Sequence, residues 1–262
     1  MKIATWNINS VRLRAPLFAE LEKQAAPDIV CLQETKVIDE LFPHDALSDL
    51  YPHRHMRGMK GYNGVAVLSK VPFTAKGGEN WCGREDTRHI SVKIKGGVEI
   101  HNFYIPAGAD EPDPAKNEKF AHKLSFLDEV TDWWTKTATP RAKRIMVGDL
   151  NIAPLESDVW SHKQLLKVVS HTPVEIERLD KMQAAHDWID AVRHFAPEPE
   201  KLYSWWSYRS KDWRAGDRGR RLDHVWVTQP LKSKLRGFEI LKDARGWTKA
   251  SDHVPVIVDI DI

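Results

Sequence analysis

The chain has 262 residues, 42% of them hydrophobic and 29% charged, the composition of an ordinary globular protein with room for one large domain or two small ones. No apolar run approaches the roughly 20 residues that a bilayer-spanning helix needs, and the N-terminal Met1-Lys2-Ile3-Ala4-Thr5-Trp6-Asn7 enters strand-like sequence at once, without the apolar stretch of a secretory signal; no membrane partner and a cytoplasmic location are expected. A net charge of +2 and a pI of about 8.4 do not by themselves specify a nucleic-acid partner, because a phosphate footprint depends on clustered charge.

In chain order, β-rich runs fall at residues 2–8, 28–33, 64–69, 90–94, 98–105, 144–148, 222–228 and 254–260. Between the first two, Leu17, Phe18, Leu21 and Ala25 recur at helical spacing, with Pro16 suited to a first turn and Pro27 ending the helix. A second helix is expected over residues 115–136, where Phe120, Leu124, Leu127, Val130 and Trp134 repeat near the helical period. Strands and helices interleave without a low-complexity linker or tandem repeat, so one domain over residues 1–262 is expected. Residues 106–114, 153–172 and 208–221 are expected to form functional loops. Of the two cysteines, Cys31 lies inside an apolar run and reads as a buried free thiol. Most of the eleven tryptophans read as core.

Polar residues stand where predicted strands meet loops: Asn7 and Asn9 after the first, Glu34 after the second, Asp149 and Asn151 after another, Asp223 at the start of the next, and Asp252-His253 before the last. Strands paired in one sheet would bring such ends to one rim. Each residue alone has an ordinary explanation as a surface acid or turn residue; the ordered set points to a shared site. Phosphodiester hydrolysis needs a cation against the phosphate oxygens, a group to orient or deprotonate water, and a donor for developing charge. Glu34, with Asn7 and Asp252, suits Mg²⁺, which prefers hard oxygen ligands, and Mn²⁺ is an expected substitute. Asp149, fixed by the amide of Asn151, suits a proton acceptor, and His253 paired with Asp223 suits an imidazole aimed at the phosphate.

The motifs Trp6-Asn7-Ile8-Asn9-Ser10-Val11-Arg12, Asp28-Ile29-Val30-Cys31-Leu32-Gln33-Glu34-Thr35-Lys36, Gly61-Tyr62-Asn63-Gly64-Val65, Gly148-Asp149-Leu150-Asn151, Arg221-Leu222-Asp223-His224 and Ser251-Asp252-His253-Val254-Pro255 resemble, in order and over essentially the whole chain, those of the exonuclease III family of abasic-site endonucleases. The resemblance implies an α/β fold, a four-layered sandwich of two packed mixed β-sheets flanked by helices. It implies a magnesium-dependent hydrolase of damaged double-stranded DNA, acting as a monomer at abasic sites and 3′ termini. It further implies that Glu34 binds the metal with Asn7 and Asp252 close by and Asp149, Asn151 and His253 around it. Asp149 would then position water, Asn151 hold the phosphate region, His253 with Asp223 polarise the scissile group, and Tyr104 contact the same phosphate.

The segment Trp205-Trp206-Ser207-Tyr208-Arg209-Ser210-Lys211-Asp212-Trp213-Arg214 and its continuation to Arg220 mixes aromatic and basic residues. Such a loop could grip phosphates and wedge beside an extruded nucleotide. Arg209, Arg214 and Arg220 are its candidate phosphate contacts, with Lys36, Arg57 and Lys60 extending the track, and by resemblance Trp205 and Leu222 line a pocket for a base-free sugar. Two departures stand out: Ala107 and Asp110 replace an expected polar amide and basic residue, and the segment from Asp158 to Gln164, with Trp160 and His162, is bulkier than the usual loop. That bulk suggests a shift from internal abasic sites toward trimming blocked 3′ ends. A superfamily phosphatase for small substrates and a catalytically dead DNA-binding protein are the alternatives; a basic, aromatic loop argues against the first and the full set of acids and histidine against the second.

Overall fold

Runs such as Ile29–Gln33 and Val65–Ser69 are buried at every position, as strands covered on both faces of a sheet must be. The computed structural model describes residues 1–210 and 212–262. In chain order its strands are β1 (Lys2–Asn7), β2 (Ile29–Gln33), β3 (His53–Arg57), β4 (Val65–Ser69), β5 (Phe73–Gly77), β6 (His89–Ile94) and β7 (Glu99–Tyr104). There follow β8 (Arg144–Asp149), β9 (Ile189–Asp190), β10 (Trp205–Trp206), β11 (Gly219–Arg220), β12 (Asp223–Val227), β13 (Leu235–Ile240) and β14 (Val256–Ile260). Two six-stranded sheets result, ordered β13-β14-β1-β2-β4-β3 and β5-β6-β7-β8-β12-β9, with β10 and β11 as a separate hairpin. Both sheets are mixed: β1 and β2 run parallel in one and β7 and β8 in the other, while their remaining neighbours are antiparallel.

Alternate residues of each strand explain the layers. Ile3, Ile29, Cys31, Val65 and Val67 of the first sheet pack against Val92, Ile100, Ile145, Val147 and Val225 of the second. The opposite face of the first sheet, with Ala4, Trp6, Val30, Leu32 and Leu68, packs under Phe18, Leu21 and Leu47. The opposite face of the second, with Phe103, Met146 and Trp226, is covered by Phe126, Leu127, Val130 and Trp134 of one helix and Leu179 and Met182 of another. Helix, sheet, sheet and helix therefore stack as the four-layered α/β sandwich expected from the motifs.

The predicted strands are all present with ends shifted by a residue or two. The long helix spans Glu118–Thr137, three residues later than expected, because Asn117 is its N-cap and accepts from Lys119 N at 3.0 Å. The early helix is broken into Val11–Arg14, a 3₁₀ turn Ala15–Leu17 and Phe18–Gln24. Two expected loops carry structure: residues 153–172 hold a short helix His162–Leu165, and residues 208–221 hold the turn Trp213–Gly216 and strand β11.

Candidate active site

Parallel pairing of β1 with β2 sets Asn7 opposite Gln33, and the pairing of β12 and β7 with β8 sets Asp223 and Tyr104 opposite Asp149. The polar strand ends of both sheets thus reach one rim. The backbone there turns sharply, with Asn9, Ser10, Glu34, Lys36 and Asn151 all at positive φ, a conformation of order 1–3 kcal/mol uphill for a residue with a Cβ and one that clusters at functional sites. Gly64 lets the neighbouring turn close, since a Cβ on it would lie 2.2 Å from Thr35 Oγ1. Gly148 allows β8 to approach β7, where a Cβ would meet Phe103 O at 1.9 Å.

Asp149 lies at the centre, 1% exposed. Its Oδ1 accepts from Asn151 N at 2.9 Å, and its Oδ2 accepts from Asn7 Nδ2 at 2.8 Å and Asn151 Nδ2 at 3.2 Å, so one amide reaches it from each sheet. His253 Nε2 stands 3.7 Å from Asp149 Oδ2, and its Nδ1 bonds Asp223 Oδ2 at 2.8 Å. Ser204 Oγ steadies that carboxylate, donating to Asp223 Oδ2 at 2.6 Å while accepting from the Leu222 and Asp223 amides at 3.0 Å. Asn7 Nδ2 and the Tyr104 hydroxyl both donate to Glu34 Oε1 at 2.9 Å. Asp252 accepts from Asn9 Nδ2 at 3.1 Å and from the Trp205 indole at 3.0 Å. All seven candidates of the expected core, Asn7, Glu34, Asp149, Asn151, Asp223, Asp252 and His253, thus meet in one place, with Tyr104 beside them.

Charge in this cluster is uneven. Burial pushes the Asp149 carboxyl up to about 7, the His253 cation pulling against it and Asp223 and Glu34 adding to the rise. Burial disfavours the charged form of His253, but Asp223, Asp149 and Asp252 outweigh it and push the imidazole up to about 10. Burial also opposes ionisation of Glu34 and Asp252, yet Lys36 and Asn7 hold the first, and His253 and Trp205 the second, below the ordinary carboxylate range. Burial, then Glu34 and Asp149, drive the Tyr104 phenol well above its usual value, so it stays a proton donor.

Four carboxylates, Glu34, Asp149, Asp223 and Asp252, therefore face two cationic side chains, His253 and Lys36, an excess that a divalent cation would balance. Ligand atoms of Asp149, Asp223 and His253 lie within 4.8 Å of one another, but His253 there is already engaged as an imidazole between two acids. The hard oxygens of Glu34 and Asp252 at the rim match a magnesium-like ion better. The donor set fits a metal.

The cleft above this cluster encloses about 690 Å³. Trp205, Arg209, Arg218, Arg220 and Leu222 line it together with Ala107, Ala109, Val168, Val169, the half-buried Trp160 and the acid Asp110. Arg220 lies 5.2 Å from the Trp205 ring and donates to Ser170 Oγ at 2.7 Å.

Several candidates are not brought to the cleft lining. Arg214 stacks 4.9 Å over Trp213 and pairs with Asp243 Oδ1 at 2.9 Å, which draws it away. His162 bonds His171 at 2.8 Å and is not among the residues lining the cleft. Lys36 is in the site but is held on Glu34 Oε2 at 2.6 Å and Asn9 Oδ1 at 2.7 Å instead of on an outer phosphate track. Arg57 donates to His89 O and Asn80 Oδ1, both at 2.9 Å, tying strand β3 to the second sheet. Ser204, which orients Asp223, was not anticipated, and no sequence signal marks it. Arg218, over the Trp160 ring at 4.8 Å, was embedded in the basic segment without being singled out.

The architecture and rim cluster define a metal-assisted hydrolase, and residues 4–253 match the endonuclease/exonuclease/phosphatase family, to which the chain belongs. Within it the chain is similar to exodeoxyribonuclease III of Haemophilus influenzae, 30% identical over 267 residues and 98% of each sequence. It is also similar to an AP endonuclease from Archaeoglobus fulgidus, at 31% identity, full coverage of both chains and a TM-score of 0.92. A 3′ phosphatase from Neisseria, solved bound to product DNA hairpin, is 28% identical over the whole of both chains with a TM-score of 0.89. Among the described residues no helix is long and apolar enough to cross a membrane.

Proposed function

We propose that this protein hydrolyses the P–O3′ bond of damaged double-stranded DNA with Mg²⁺, Mn²⁺ serving as a substitute, and that it works as a cytoplasmic monomer at 3′ ends and abasic sites. The observation that carries the reading is the buried Asp223-His253-Asp149 line, amide-clamped from both sheets and set below a cleft lined by three arginines. Glu34, with Asn7 and Asp252, would hold the ion, which when bound neutralises phosphate charge. Asp149, held by the amides of Asn7 and Asn151, takes a proton from the attacking water. The water oxygen bonds to phosphorus, the P–O3′ bond breaks, and O3′ regains a proton. His253, charged and aligned by Asp223, donates to the phosphate oxygens as negative charge builds, and Asn151 and Tyr104 fix the neighbouring donors.

The half-buried Trp160 stands with Arg218 at the cleft lining, and bulk at that position supports a lean toward 3′ termini over internal abasic sites. The test gives the protein and its Asp149→Asn variant two duplexes, one with an internal abasic analogue and one with a 3′-phosphate at a nick, in Mg²⁺ or EDTA. Product on both substrates, abolished by EDTA and by the substitution, is expected, with the nick cut faster. Turnover that survives EDTA would sink the metal-dependent reading, and exclusive action on small phosphomonoesters would transfer the protein to the phosphatases of the family.

A further inference from the structure

Beside Trp160 a second cavity of about 400 Å³ opens, within the size range of small-ligand sites. Trp160 and Arg218 line both it and the cleft, so the two spaces adjoin at one indole and the guanidinium lying 4.8 Å over it. Tyr203 and the fully buried Trp206 make an aromatic floor, and Lys201 and Lys242 stand at the edge. Lys242 is committed to Asp217 at 2.9 Å, and Asp217 also accepts from the Trp206 indole at 2.9 Å. Lys201 and Arg218 form no ion pair and donate no side-chain hydrogen bond among the described residues.

Two uncommitted cations beside aromatic surface match a ligand with a flat ring and one phosphomonoester, whose charge is about −1.5 to −2 near neutral pH. The chemistry of the cleft supplies such a molecule. When the P–O3′ bond to a 3′-phosphate breaks, water's oxygen goes to phosphorus, O3′ takes a proton, and inorganic phosphate leaves. When the same kind of bond then breaks at the last linkage of a strand that now ends in a 3′-hydroxyl, the DNA gains a new 3′-hydroxyl and the departing nucleotide keeps the phosphate on its 5′ oxygen. We infer that the cavity beside Trp160 is a product subsite for the nucleoside 5′-monophosphate freed by exonucleolytic cutting. The phosphate sits between Lys201 and the planar fork of Arg218, which suits two phosphate oxygens, and the base lies against the Tyr203 and Trp206 floor. This rests on the nuclease reading above and gives the product a place to bind while DNA fills the cleft.

The test uses the full-length Asp149→Asn protein titrated with deoxyadenosine 5′-monophosphate, following tryptophan fluorescence. Three results are expected together: saturable quenching, at least tenfold tighter than with deoxyadenosine; quenching that persists when a saturating 3′-phosphate duplex fills the cleft; and at least tenfold weaker binding in a protein that also carries Lys201→Glu, an exposed position that leaves the fold intact by thermal melting. Displacement of the nucleotide by DNA, equal affinity for nucleotide and nucleoside, or indifference to Lys201→Glu would each overturn the subsite. Because binding is read without turnover, failure here is separable from failure of the Mg²⁺ cleavage assay.

Discussion

Two buried charge clusters abut at the start of β12, two residues apart in sequence, and they are built on opposite principles. Around Arg221, the guanidinium bonds Asp158 through Nε at 2.6 Å and Nη2 at 2.9 Å and Asp190 at 2.6 Å, and Arg193 also reaches Asp158. Two cations meet two acids, and although burial opposes ionisation, the arginines hold both carboxyls below their ordinary range. Around Asp223, acids outnumber cations and Asp149 is driven up instead. Both have a carboxylate at full depth, Asp158 in one and Asp223 in the other; the balance differs. Matched charge makes a strut, whereas the excess of negative charge next to it is a mismatch that only an added cation relieves.

The largest effect expected from breaking this contrast is at Asp149. Asp149→Asn should lower kcat by about a thousandfold, within the range for a lost general base, while thermal melting holds or rises because a carboxyl already resisting ionisation has been made neutral. A normal melting curve with normal kcat would remove Asp149 from the chemistry. In the balanced cluster the signs reverse: Arg221→Met leaves Asp158 and Asp190 short of a partner in the interior and should destabilise by about 3–5 kcal/mol in urea unfolding. A loss below 1 kcal/mol would mean that the strut carries nothing.

A titration sharpens the same comparison. Asp158 and Asp190 have folded-state pKa values below their unfolded ones, so their contribution is complete above about pH 4 and is lost as pH falls through the depressed values. Urea midpoints should drop steeply below about pH 4 in the natural protein and less steeply in Arg221→Met; parallel curves would contradict the assignment. The smallest effect concerns the cleft wall. Trp160→Ala should raise cutting at internal abasic sites a few-fold relative to 3′-phosphate removal, and His162→Ala should not, since His162 does not line the cleft. An equal response from both would show that bulk alone does not select the substrate.

The sequence made the centre of the molecule readable and left the edges obscure, for physical reasons. β2 and β4, buried at every residue, had to be apolar runs, and the polar residues ending β1, β2 and β8 stood out against them. β3, β5 and β13 sit at or near sheet edges with half-exposed residues, so His53–Arg57, Phe73–Gly77 and Leu235–Ile240 carry no apolar signature. The helix Pro173–Ala184 was signalled and overlooked: Thr172, Pro173 and Glu175 form a capping box, with Glu175 Oε2 accepting from Thr172 N at 3.1 Å. The acids and histidine of the site could be found because chemistry restricts their type. Ser204 could not, because its role comes from meeting Asp223 through space. Arg214 and His162 had the right character but local partners that no linear reading shows.

The order of strands in the first sheet also bears on when this chain becomes dangerous to nucleic acid. β1 is flanked by β2 on one side and by β14, the last strand, on the other, and Asp252 and His253 lie just ahead of β14. Asn7 and Glu34 alone do not make the site. It closes only when β14 has docked against β1 and brought Asp252 and His253 to the rim, so a partly folded copy is harmless by construction.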